Sequence, residues 1–262
     1  MFQLERHQWL IDNARLKGRI DVNQSAEELG VTVETIRRDL NELEQKNLLR
    51  RVHGGAIPIE GLGYESNLDE RRRQFIEEKR RIGLAALEKI GEAQSIYWDE
   101  GYMFEMAAEA WQPKHKVTII TNALRTAYLF SQKPNVDIIF LGGKIREQTI
   151  ATADAWGPRQ LSDLVIDVAL IGSNGISIKH GCTTPSDAVS ATKRAAMKAS
   201  HTSILLALSN RWGFDSFVKF ADLDSFAEAI SDTDMDAKTF KTYTDAGMRI
   251  TRSEEHTSEL QS

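Results

Sequence analysis

Five side chains between residues 32 and 38 have the types and spacing to grip a nucleic acid: Thr32, Glu34, Thr35, Arg37 and Arg38. Ile36, Leu40 and Leu43 recur at the helical period, so they form the inward stripe of one helix. Glu34, Thr35, Arg37 and Arg38 then project outward from its first turns, and Thr32 supplies the N-cap hydroxyl. The N-terminal end of such a helix is the part that enters a major groove. An arginine fork matches the paired acceptors of a guanine edge or a phosphate. Farther on, Arg50, Arg51 and His53 lie in two short extended runs joined by Gly54-Gly55, and between Gln45 and Ile59 three cations meet no acid. That stretch reads as a β-wing whose cations reach the nucleic-acid backbone.

Short elements are needed to hold these groups in place. Leu4, Trp9, Leu10, Ile11 and Leu16 suit one face of a first helix, which Gly18 ends. Arg19–Val22 alternates like a very short strand. Ser25 and Glu28 have the spacing of a capping box and predict a second, short helix before Gly30. Two short helices joined by a glycine-containing turn make a helix-turn-helix.

A second group of polar residues gathers beyond residue 90. Strand-like runs at 95–99, 117–121, 137–141, 168–172, 203–208 and 227–231 alternate with helical stretches at 104–111, 124–132, 185–199 and 236–246. Continuous apolar runs such as Ile138-Ile139-Phe140-Leu141 suit strands covered on both faces, as in a parallel sheet. Ligands of such sheets bind at the carboxyl ends of the strands. Asp99, Gly101, Tyr102, Asn122, Gly143, Lys144 and Asn174 fall at those ends, with Lys193 and Arg211 on following segments. The expected occupant is a small carbohydrate-derived ligand whose anionic group Lys193 and Arg211 hold, with Pro185 in the first turn of the helix carrying Lys193. The alternative is an isomerase-like enzyme acting on a sugar phosphate, for which Asp99, Glu100, Asp154 and His180 are the proton-transfer candidates. Cys182 and Ser186 lack a sequence context for nucleophilic catalysis. No Gly-x-Gly-x-x-Gly or Walker A loop is present, so neither dinucleotide nor ATP is expected as cofactor.

Composition narrows the classes further. The 262 residues are 41% hydrophobic and 27% charged, with 33 cations against 38 anions and a net charge of −5. A chain of that balance meets nucleic acid through a local patch, not through its overall field, and is unsuited to bridging DNA non-specifically. No apolar run is long enough to span a bilayer. The single cysteine excludes an intrachain disulfide and a multi-cysteine zinc site, and points to a reducing cytoplasm. Residues 252–262 read codon for codon as the translation of a common sequencing-adapter oligonucleotide and are set apart from the fold. Without their one cation and three anions the balance is 32 against 35. The expected organisation is a DNA-binding domain at 1–58, a linker at 59–74 and an α/β domain at 75–251. A charge-rich helix beginning at Asp69 opens that last part. Reading a two-fold site takes two copies, so a homo-oligomer is expected.

The residues also carry a family resemblance. Leu4-x-Arg6-His7, Thr35-Ile36-Arg37-Arg38-Asp39-Leu40-Asn41-x-Leu43-Glu44 and Arg51-x-His53-Gly54-Gly55-Ala56 resemble the DeoR/GlpR family of bacterial transcriptional regulators. The resemblance implies a winged helix-turn-helix that represses a carbohydrate-catabolism operon. It also implies an effector domain resembling ribose-5-phosphate isomerase that binds sugar phosphates. The usual Asp-x-Gly-Thr-Thr phosphate loop stands here as Asp99-Glu100-Gly101-Tyr102-Met103, without its two hydroxyls and with an added carboxylate. The usual aspartate and lysine of a later loop stand as Leu208 and Arg211, while Thr121-Asn122 and Gly142-Gly143 match.

Overall fold

The computed structural model describes residues 2–46, 48–52, 54–58 and 72–253. The chain divides into two compact units, one within Met1–Ser66 and one within Asn67–Ser262. His53 and residues 59–71 of the expected linker lie outside the described residues.

The first unit is three helices and a three-stranded sheet. Helix α1 (Gln3–Lys17) stops where Gly18 takes the left-handed conformation (φ 80°). Strand β1 (Ile20–Asp21) leads directly into α2 (Val22–Leu29), and α3 (Val33–Gln45) follows the turn at Gly30. The expected Ser25 capping box does not form. Asp21 is the N-cap instead, accepting the amides of Asn23 (2.8 Å) and Gln24 (3.0 Å), and Ser25 lies inside the helix donating to the Asp21 carbonyl. Pairing of Asp21 with Gly55 places it there, so tertiary contact decides which cap is used. The hairpin β2 (Leu49–Val52) and β3 (Gly55–Pro58) completes the sheet in the order β1-β3-β2. Leu10, Ala14, Ile36, Leu40, Leu43, Leu49 and Ala56 fill its core, which confirms the inward stripe.

The second unit is built on seven parallel strands in the order β15-β14-β12-β9-β4-β5-β6. These are β4 (Ser95–Trp98), β5 (Val117–Thr121), β6 (Val136–Phe140), β9 (Ile166–Gly172), β12 (Ser200–Leu206), β14 (Glu228–Asp232) and β15 (Ile250–Ser253). Neighbouring residues serve opposite faces. Ile96, Trp98, Val168 and Leu170 pack with α4 (Ile76–Lys89), α5 (Tyr102–Ala110) and Phe130 of α6 (Leu124–Ser131). Tyr97, Ala169, Ile171 and Leu205 pack on the other side with Leu161 of α7 (Trp156–Leu161), Ala196 of α8 (Asp187–Ala199) and Tyr243 of α9 (Ala237–Asp245). Both faces of the central strands are therefore apolar and covered, whereas the edge strand β6 alternates and exposes Ile139, so the run at 138–141 is not covered on both faces as expected.

Two expectations are corrected here. The expected helix from Asp69 is not continuous: residues 69–71 lie outside the described residues, Arg72 is helical, residues 73–75 form a turn with Phe75 left-handed at φ 51°, and the helix that packs on the sheet runs from Ile76. Pro185 precedes the Ser186 N-cap and so stands outside the first turn of α8. Strand β15 also runs to Ser253, two residues into the segment set apart on sequence grounds, and Ser253 is buried. Two small antiparallel sheets, one in the order β10 (Gly175–Ser177), β11 (Gly181–Thr184), β13 (Val218–Ala221) and one of β7 (Ile145–Arg146) with β8 (Ala151–Thr152), have no expectation to set against them. No helix among the described residues is long and apolar enough to cross a membrane.

Candidate functional site

The N-terminus of α3 is set by Thr32, whose hydroxyl accepts the Thr35 amide at 3.2 Å while the Thr35 hydroxyl lies 2.9 Å away. Ile36, Leu40 and Leu43 are sealed in the core, which turns Glu34, Arg37 and Arg38 to solvent. Glu34 and Arg37 are i,i+3 partners 3.8 Å apart with side chains 78% and 58% exposed, so the guanidinium is only loosely held.

One carboxylate on this helix faces the other way. Asp39 is fully buried and accepts Arg6 Nε at 2.7 Å and Arg6 Nη2 at 3.0 Å, with His7 Nε2 3.2 Å from its Oδ1. Burial works to raise the Asp39 pKa, but the hydrogen bonds from Arg6 and His7 override it and hold the carboxyl below its usual value. The pair bolts α1 to α3 immediately after the two exposed arginines. It was discoverable in principle, because an acid on an apolar stripe must find a buried partner.

The wing is held just as firmly. Gly55 sits on the central strand, and a Cβ there would lie 1.7 Å from the Ile20 carbonyl oxygen, so only glycine fits. Arg50 is exposed. Arg51 is not: its guanidinium donates to the carbonyls of Gly55 and Arg37, each at 3.3 Å, and to the Asn41 side chain. Its amide donates to Glu44 at 2.7 Å. Arg51 thus ties wing to helix, whereas Arg50 is the wing cation presented to solvent.

In the second unit the strand ends bring Asp99, Asn122 and Lys193 into a tight polar array. Lys193 on α8 is buried, donating to Asp99 and, at 3.0 Å, to the Gly172 carbonyl, while the Gly172 amide donates to Asp99 at 2.7 Å. The sequence expectation that Lys193 holds a ligand's anionic group meets a lysine already matched to an internal carboxylate. Asn122 is also engaged, accepting the Tyr97 hydroxyl at 3.1 Å and donating to the Thr152 carbonyl at 2.9 Å. Burial, then the charges of Asp99 and Glu100, push the Tyr97 phenol well above its ordinary value, so it stays a donor.

The remaining expected residues lie along the same edge. Gly101 is the N-cap of α5 at φ 121°. Tyr102 follows it and lies beneath the Arg72 guanidinium (5.4 Å) and the Lys79 ammonium (5.9 Å). Gly143 (φ 140°) and the exposed Lys144 flank the Asp154 carboxylate, which accepts the Lys144 amide at 2.7 Å. Asn174 accepts the Thr184 hydroxyl at 3.1 Å, and Arg211 lies in the turn Ser209–Arg211 after β12. Sequence reasoning did not pair Glu100, whose side chain is 7% exposed; it faces Arg146 at 3.4 Å and accepts the Thr149 hydroxyl at 3.1 Å. Burial drives the Cys182 thiol up to about 12, which keeps it from acting as a nucleophile.

Comparison with known proteins agrees with both halves of this description. The family model of the DeoR-like helix-turn-helix domain matches residues 6–61, and that of the DeoR C terminal sensor domain matches residues 74–233. The HTH-type transcriptional regulator GlpR of Haloferax volcanii is 28% identical over 250 residues, 95% of this chain and 98% of the relative. The lactose phosphotransferase system repressor of Staphylococcus epidermidis is 32% identical over 220 residues, 82% of this chain and 86% of the relative. Among solved structures, ribose 5 phosphate isomerase A from Neisseria gonorrhoeae aligns with a TM-score of 0.37 at 13% identity, covering 56% of this chain and 55% of that one. With a winged helix-turn-helix ahead of a sensor domain, the protein belongs to the DeoR family of transcriptional regulators.

Proposed function

We propose that the chain is a sequence-specific DNA-binding repressor of a carbohydrate-catabolism operon, released from its operator by a small sugar or sugar phosphate at the strand ends of the second unit. The observation that carries the reading is the presentation of Arg37 and Arg38 on the first turns of α3, anchored by Asp39, beside a wing that exposes Arg50. In this reading Thr32, Glu34 and Thr35 set the helix end, Arg37 and Arg38 meet base edges or phosphates, Arg50 meets phosphate, and Arg51 fixes the wing. His53 is proposed on sequence grounds alone. Names of relatives such as the lactose phosphotransferase system repressor support the carbohydrate assignment.

The strand-end carboxylates and lysine are spent on one another, which favours ligand sensing over catalysis. The working unit is a homo-oligomer in the cytoplasm, reading half-sites about 34 Å apart or at multiples of that spacing. The test is an electrophoretic shift of DNA from upstream of the chain's own gene, with sedimentation of the free and bound protein. A salt-sensitive specific shift by an oligomer is expected. Absence of binding to any upstream fragment at low salt overturns the regulator reading, and a monomer throughout overturns the assembly.

A further inference from the structure

We propose that strand β6 is an interface at which the sensor domains of two copies of this chain join antiparallel across a two-fold axis, making one continuous sheet. The proposal rests on the homo-oligomer reading above and names the surface that reading needs. Strand β6 is an edge of the seven-stranded sheet: β5 lies on one side and, among the described residues, no strand lies on the other. The Asn135 carbonyl accepts the Val117 amide and the Leu141 amide donates to the Thr121 carbonyl, both at 2.9 Å, so the odd-numbered residues bond to β5. Backbone groups alternate along a strand, which turns the amides and carbonyls of Val136, Ile138 and Phe140 to the open side. An open row of this kind is a template for another strand, and proteins blunt it with charge, proline or a bulge. Strand β6 has none of these past Asp137. Its other four residues, Val136, Ile138, Ile139 and Phe140, are apolar, it pairs with β5 without a register shift, and Ile139 is 39% exposed.

A second copy of β6 fits this edge in backbone, side chains and charge. Two-fold pairing centred on Ile138 sets Ile138 against itself and Val136 against Phe140, so every outward amide and carbonyl of the strand is matched. On one face Val136, Ile138 and Phe140 meet the same apolar residues of the partner subunit, which extends the layer where Val136 and Ile138 already pack. On the other face Asp137 stands opposite Ile139 of the partner subunit, so no like charges are directly opposed. Its own Lys116, 2.9 Å away, balances it. The strands alone are too small for the roughly 1,200–2,000 Å² that a stable interface buries. Helix α6 packs against β6 and exposes Leu124 and, one turn on, Tyr128 at 67%, and the same axis brings this helix beside its copy.

The test follows the full chain by sedimentation and by hydrogen–deuterium exchange at the edge. The wild type is expected to be a dimer or a higher even assembly. The amides of Val136, Ile138 and Phe140 are expected to be protected in it and to exchange faster as dilution takes it apart. Ile139→Asp sets a carboxylate opposite Asp137 of the partner subunit, twice over by symmetry, and is expected to raise the dissociation constant about tenfold or more. Ile139→Lys meets the same Asp137 with the opposite charge and is expected to keep the assembly. Both substitutions sit at an exposed position, so unchanged melting of the diluted chain is expected to show that the fold is intact.

No weakening by Ile139→Asp, or equal weakening by Ile139→Lys, overturns the proposal. Edge amides that exchange freely in an assembled wild type overturn it as well and leave the homo-oligomer reading standing. So does edge protection that persists after the assembly has dissociated, which means that the chain covers its own edge. If Ile139→Asp melts too low to assay, exchange at the edge of the wild type decides alone. A wild type that is a monomer at every concentration, with and without upstream DNA, overturns both readings.

Discussion

Replacing Asp39 by alanine isolates what holds the DNA-facing helix in place. The carboxylate is completely buried and takes two hydrogen bonds from Arg6 and one contact from His7, and the Arg6 side chain is itself only 9% exposed. The variant therefore takes from a buried guanidinium the carboxylate that accepts its two short hydrogen bonds, a change that costs about 3–5 kcal/mol. Domains of this size are held by roughly 0.05–0.15 kcal/mol per residue, so the loss removes a large share of the first unit's stability. Hydrogen–deuterium exchange reads it locally: at 1.4 kcal/mol per tenfold, amides within Val33–Gln45 are expected to exchange about 100- to 4000-fold faster. Amides within Ile166–Gly172 of the second unit serve as the internal control. The pH dependence follows from the depressed folded pKa. The pair's contribution is complete above the unfolded carboxyl's value of about 3.9 and is lost as pH falls through the lower folded value. The difference between wild type and variant should therefore shrink only in strong acid. Exchange in α3 within threefold of wild type at neutral pH, or a difference that fades near pH 6, refutes the assignment.

Other perturbations separate reading, anchoring and sensing. Arg37→Ala or Arg38→Ala should each cost about 1–3 kcal/mol of operator affinity where the side chain reads a base, with relaxed preference at one base pair in a binding-site selection. Arg50→Ala should weaken all sequences alike and flatten the logarithmic salt slope by about 0.9, measured by salt titration of the complex. Gly55→Ala drives a methyl into the Ile20 carbonyl and should displace the wing, seen as lost amide protection across residues 49–58 and lost DNA binding. Lys193→Ala removes the buried counter-ion of Asp99, leaving it the Gly172 amide alone, and should destabilise the second unit by about 3–5 kcal/mol in urea unfolding, whereas Lys193→Met with Asp99→Asn should recover part of that loss.

The sequence made the recognition helix readable because periodicity and core are the same fact there: Ile36, Leu40 and Leu43 are one stripe and one packing surface. The parallel strands were readable for the same reason, since Ile96 to Trp98 and Val168 to Ile171 are apolar at every step and the sheet is covered twice. What escaped depends on partners distant in sequence. Ser25 looked like a cap until Gly55 paired with Asp21 and put a better acceptor at the helix start. Lys193 looked like a ligand cation because nothing local shows Asp99 standing opposite it. Arg51 looked like a phosphate contact because its wing neighbours are basic, yet Asn41 and the Arg37 carbonyl lie within reach of its fork. In each case the residue type was legible and the internal bond it makes comes from a partner distant in sequence.

The strand order of the sheet also sets a timetable for synthesis. Strand β9 lies between β4 and β12, and its Asp167 closes onto Gln94 across 73 positions of sequence, so the centre of the sheet cannot form until most of the chain has left the ribosome. Parallel pairings of that reach fold slowly because the loop entropy is spent before the contacts form. The first unit closes its deepest bond, Arg6 to Asp39, across only 33 positions. Domains fold as they emerge, N-terminal first. The helix-turn-helix domain is therefore complete while the sensor domain is still an open chain, and a nascent polypeptide presents its DNA-binding surface before its sensor domain has folded.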